Sequence, residues 1–88
     1  MKVEFDKSFL KDLKNLPDKE TKKQLQTLIE SIEQVDTLEE ITQLKKLTGY
    51  DRYYRVRVRD YRVGLLVQGE VVWLVRCLHR KDIYRYFP

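Results

Sequence analysis

The sequence predicts an α+β fold: an N-terminal strand and an antiparallel helical hairpin packed on a small antiparallel sheet, in a single domain over residues 1–88. Three observations carry this. Apolar residues recur at helical spacing as far as Val35. Over Tyr53–Arg59 the period changes to strict alternation. No Pro/Gly/Ser-rich linker, low-complexity tract or internal repeat divides the chain.

The elements follow in order. Lys2-Val3-Glu4-Phe5 alternates as a short strand. Asp6 or Ser8 then caps a helix that carries Phe9, Leu10, Leu13 and Leu16 and stops at Pro17. Asp18 caps a second helix, whose apolar stripe is Leu25, Leu28, Ile29, Ile32 and Val35. Asn15–Asp18 is the connection. Leu38, Ile41, Leu44 and Leu47 lie three apart, which suits a short helical turn or a packed loop ending at Gly49. Tyr54, Val56 and Val58 form the apolar face of a strand whose other face is Tyr53, Arg55, Arg57 and Arg59. Asp60-Tyr61 is the expected tight turn, Arg62–Val67 a second strand, Gln68-Gly69-Glu70 a turn and Val71–Leu78 a third strand. Val71–Val75 is nearly all apolar, so this strand is expected to be central and buried on both faces, with Trp73 in the core.

Composition bounds the function. Of 88 residues, 42% are hydrophobic and 36% charged, which describes a globular chain and not a disordered one. No stretch approaches the ~20 apolar residues of a membrane span, and the N-terminus, with acidic residues and no long apolar run, is unlike a signal peptide. The lone Cys77 allows no intrachain disulfide, so a reducing cytoplasm is the expected setting.

The net charge of +4 is unevenly placed. Residues 1–51 hold 9 Lys against 11 acidic residues, while residues 52–88 hold 9 bases against 3. Every base in the first part is Lys, and eight of the nine in the second are Arg. Arginine suits bidentate contact with phosphate, so the second part predicts a polyanionic partner. Arg55, Arg57 and Arg59 share a strand face, with neighbours roughly 6–7 Å apart. Arg62 can approach them across the hairpin.

Transesterification of RNA needs little more. One group takes the 2′-hydroxyl proton, cations stabilise the phosphorane, and the 5′-oxygen leaves with a proton. His79 is the only side chain that titrates near neutrality by default. Tyrosines can stack on bases and move protons. One His and one Cys make no metal-ligand set, and neither a metal nor another cofactor is called for. A nucleophilic Cys77 assisted by His79 is the weakest of these readings.

Four runs together resemble the RelE/ParE toxin family: Leu44-Lys45-Lys46-Leu47-Thr48-Gly49, Tyr54-Arg55-Val56-Arg57, Asp60-Tyr61-Arg62-Val63 and His79-Arg80-Lys81-Asp82-Ile83-Tyr84. The resemblance implies the toxin of a type II toxin–antitoxin system. RelE-like members cleave mRNA in the ribosomal A site, and ParE-like members inhibit DNA gyrase. A cognate antitoxin protein covers the basic surface. By position, Arg57, Arg62, His79 and Arg80 would be catalytic, with Tyr84 or Tyr86 as the proton-transferring tyrosine. Arg55, Arg59, Lys81 and Arg85 would bind RNA. A ribosome-dependent endoribonuclease is the leading expectation. A gyrase inhibitor and a non-catalytic basic binding module are the alternatives. The family favours Gly where this chain has Arg59, so the hairpin is expected to place its left-handed residue at Asp60. Any C-terminal helix is expected to be one turn at most.

Overall fold

The computed structural model describes all of residues 1–88. Strand β1 (Lys2–Phe5) leads into helices α1 (Lys7–Lys14) and α2 (Lys19–Gln34). After a 3₁₀ turn at Leu38–Glu40 come β2 (Leu44–Lys46), β3 (Tyr53–Val58), β4 (Tyr61–Gln68) and β5 (Val71–His79). A single helical turn, α3 (Ile83–Tyr86), ends the chain as expected.

The helix starts differ in chemistry. The Asp18 carboxylate accepts from the Glu20 amide at 3.0 Å and from the Thr21 hydroxyl at 2.6 Å, so it caps α2 as the sequence predicts. Asp6 occupies the cap position of α1, but its carboxylate takes the Ser8 hydroxyl and no helix N–H.

The five strands form one sheet in the order β1-β5-β4-β3-β2. Strands β2 to β5 are antiparallel neighbours, and β1 pairs parallel with β5 from Lys2↔Val71 to Phe5↔Leu74. The sheet is therefore mixed, not purely antiparallel. The helical pair supplies the crossover a parallel edge strand needs. Strand β2 is a second departure, since the sequence suggested only a turn or packed loop there. Three residues are too few to show a period, and pairing with β3 extends them all the same.

The helices cover one face of the sheet. Phe9, Leu16, Leu25 and Ile32 pack there on Val56, Val58, Val63, Leu65, Val72, Leu74 and Cys77. A smaller cluster lies on the opposite face: Leu47, Ile83 and Phe87, flanked by Tyr53, Val75 and Leu78. The C-terminal segment thus folds back over the face the helices leave open. That face is only partly covered, so Trp73 is half-buried and outside both clusters, against its expected place in the core. For the same reason β5, though interior to the sheet, is fully buried on one face alone.

Strand β5 also carries a bulge. Leu65 pairs with Leu74 and Gly64 with Arg76, which leaves Val75 as the extra residue. Beyond it the alternation reverses: Cys77 faces the helices, and His79 shares the side of Tyr61.

Candidate nucleic-acid interface

Three of the predicted arginines converge on the face opposite the helices. Register places Arg57 directly across from Arg62, and Arg55 across from Gly64. Lys45 of β2 stands opposite Arg55 and extends the row, a residue the sequence left inside an unassigned loop. Opposed like charges on a sheet are unfavourable unless something anionic lies between them. None of the three ion pairs in the molecule involves Arg55, Arg57, Arg62 or Arg80. Arg62 is oriented instead by carbonyls: its Nη1 donates to Tyr61 O at 3.0 Å and to Arg59 O at 3.2 Å. Burial, then repulsion from Arg55, Arg57 and Arg80, pushes the Arg62 guanidinium below its usual range, while the Tyr84 phenol pulls the other way. Arg62 is thus a partly desolvated cation among cations, with Tyr84 within electrostatic reach.

The C-terminal tyrosines separate. Tyr84 is 61% exposed and lines a pocket of about 380 Å³ together with Lys45, Lys46, Tyr50, Arg55 and Phe87. Tyr86 turns elsewhere, with its ring centre 5.8 Å from the Arg76 guanidinium. Arg85 and Lys81 are exposed, and neither forms an ion pair.

The remaining candidates lie outside the row. The bulge puts His79 beside Tyr61, the rings edge-to-face at 5.6 Å, on the side of the sheet away from Arg62. His79 Nδ1 accepts the Lys81 amide at 3.2 Å and so shapes the turn that holds Arg80. Arg59 Nε sits 3.4 Å from Asp18, which ties the hairpin to the start of α2. Arg59 also has φ 55°, so it takes the left-handed position expected at Asp60. Tyr61, expected in the turn, begins β4, which moves the turn one residue earlier to Arg59-Asp60. The strained residue therefore falls where the family favours glycine, at a cost of order 1–2 kcal/mol.

Cys77 is not a nucleophile. Burial raises its thiol to about 12, and the Asp12 carboxylate adds to the shift. The folded protein should resist a thiol reagent at neutral pH and react only after denaturation. Labelling of native protein within minutes, followed by mass spectrometry, would refute this.

Comparison with known proteins decides the family. Residues 3–84 match the family model described as "ParE toxin of type II toxin-antitoxin system, parDE". The chain belongs to this toxin family. It is a RelE-like toxin of a type II toxin–antitoxin system: it is 44% identical to Toxin RelE3 of Methanocaldococcus jannaschii over the full length of both chains. Among solved structures, it resembles a chain of the RelB–RelE antitoxin–toxin complex from Methanococcus jannaschii with a TM-score of 0.82 at 41% identity, covering 98% of this chain and 100% of that one. A chain of the archaeal RelE–RelB complex from Pyrococcus horikoshii gives 0.73 at 26% identity, with coverage of 93% and 97%. The toxin has no helix long and apolar enough to cross a membrane.

Proposed function

We propose that this toxin is an endoribonuclease that cleaves mRNA on translating ribosomes in the cytoplasm. The observation that carries the reading is the unpaired row of Arg55, Arg57 and Arg62 beside Tyr84. In this reading Arg57, Arg62 and Arg80 stabilise the phosphorane, and Arg55 holds a neighbouring phosphate. Lys81 and Arg85, both exposed, hold the strand further along. Tyr84 is the proton-transferring tyrosine, because it lines the pocket that Arg55 also lines, whereas Tyr86 turns to Arg76. It takes the 2′-hydroxyl proton, the 2′-oxygen bonds to phosphorus, and the bond to the 5′-oxygen breaks. The 5′-oxygen is protonated from solvent, leaving a 2′,3′-cyclic phosphate and a 5′-hydroxyl. His79 contributes through the turn that holds Arg80, and Arg59 through the hairpin. A cognate antitoxin closes this face in the resting complex, a reading supported by the toxin–antitoxin complexes the fold matches. The test is cleavage of message on translating ribosomes by purified toxin. Intact message with the wild-type protein would defeat the proposal.

Binding should also depend steeply on salt. Three to four arginine–phosphate contacts on single-stranded RNA give a slope of about −2 to −3 in log K against log[salt]. A slope near zero would show the row to be ordinary surface. The name of the matching family model supports a second reading, gyrase inhibition. DNA-damage signalling with translation intact would select it.

A further inference from the structure

Gly64 stands apart from the other two glycines. Gly49 and Gly69 have φ of 84° and 60°, and nothing lies within 4 Å of where a Cβ would be, so backbone conformation explains them. Gly64 lies inside β4 and has no such φ. A Cβ there would meet the Phe87 ring at 2.7 Å. The missing side chain is therefore a matter of space: Phe87, 3% exposed, lies on bare backbone. Register puts this bare spot between Arg55 and Arg76. Tyr53 meets the same ring edge-on at 5.5 Å, and Leu47 and Ile83 close the cluster. Tyr84 follows Ile83 directly and borders the pocket that Phe87 also lines.

We infer that Gly64 is a positioning residue: it provides the seat for Phe87, and that seat sets where Tyr84 stands against Arg62. This rests on the role proposed above for Tyr84. A methyl group at residue 64 must lift the ring, and the one-turn helix attached to it, by a large fraction of an ångström. Misplacing a reacting group by about 1 Å costs about 100-fold in rate.

The experiment is single-turnover cleavage of mRNA on translating ribosomes at saturating toxin, with Gly64→Ala, Tyr84→Phe and the double variant. Gly64→Ala should slow cleavage by about 10- to 100-fold. The double variant should be no slower than Tyr84→Phe, because the seat acts only through Tyr84. Losses that multiply would show a general structural role and overturn the inference. Phe87→Ala, alone and with Tyr84→Phe, attacks the seat from the other side and is read the same way if Gly64→Ala does not fold. A Tyr84→Phe variant cleaving at the wild-type rate would instead sink the role of Tyr84. NMR tests the seat without cleavage. Tyr84→Phe should shift the Arg62 Nε–Hε signal in the wild-type background and shift it clearly less in Gly64→Ala. A shift of equal size in both backgrounds refutes the seat whatever the activity.

Discussion

Replacing Arg62 with alanine should reduce mRNA cleavage by about 10²–10³-fold and leave the fold intact. Both halves follow from its surroundings. The guanidinium is partly desolvated among Arg55, Arg57 and Arg80, so it is a fixed cation where a phosphorane would carry charge. It forms no salt bridge, and only two carbonyls lose a donor. Removing it also relieves repulsion against Arg57 directly opposite. The thermal midpoint should therefore stay level or rise while activity falls, the usual trade between stability and function at a site. His79→Asn, on the other side of the sheet, should cost far less activity. Comparison of single-turnover rates and melting curves checks both. An Arg62→Ala protein that cleaves at near wild-type rate would remove the arginine row from the chemistry.

Asp12→Ala should be the most destabilising single substitution on α1 among its polar residues, costing about 3 kcal/mol. The Asp12 side chain is 10% exposed. It accepts from Arg76 Nε at 2.7 Å, Arg76 Nη2 at 3.1 Å and the Cys77 amide at 2.9 Å. The hydrogen bonds that Arg76 donates to the Asp12 carboxylate outweigh the opposing effect of burial and hold its guanidinium above its usual range. Truncation leaves a half-buried cation and a backbone N–H without partners just beyond the bulge, where the strand ladder is already disrupted. Asp12→Asn keeps an acceptor and should lose less. Urea denaturation measures this as a lower midpoint with an unchanged slope. A loss under about 1 kcal/mol for Asp12→Ala would mean that water replaces the carboxylate.

Local rules made much of this molecule legible. The amphipathic stripe of α2, its Asp18 cap, the alternation of Tyr53–Val58 and the turn at Gln68–Glu70 each follow from short-range chemistry, and each appears in the structure. The arginine row was legible because period two puts Arg55 and Arg57 on one face and Arg62 across the hairpin. Contacts between distant residues left no such signal. Strand β2 exists because β3 offers it an edge. The Asp12–Arg76 pair joins residues 64 positions apart. The left-handed turn residue is Arg59 because the Val58↔Tyr61 pairing leaves Arg59-Asp60 as a two-residue loop, and Arg59 also meets Asp18, far away in sequence.

The sequence by itself determined the open basic face: alternation and charge leave Arg55, Arg57 and Arg62 little choice but to share it. Tertiary structure decided which other groups join them. Without the bulge at Val75, alternation from Leu74 would carry His79 to the arginine side; with it, His79 turns to Tyr61. The seat at Gly64 in turn brings the C-terminal turn over the sheet, with Tyr84 toward the arginines and Tyr86 against Arg76. Periodicity fixes side-chain direction only while the ladder is unbroken. One extra residue in β5 reverses it, and only the pairing of β5 with β4 shows where that residue lies.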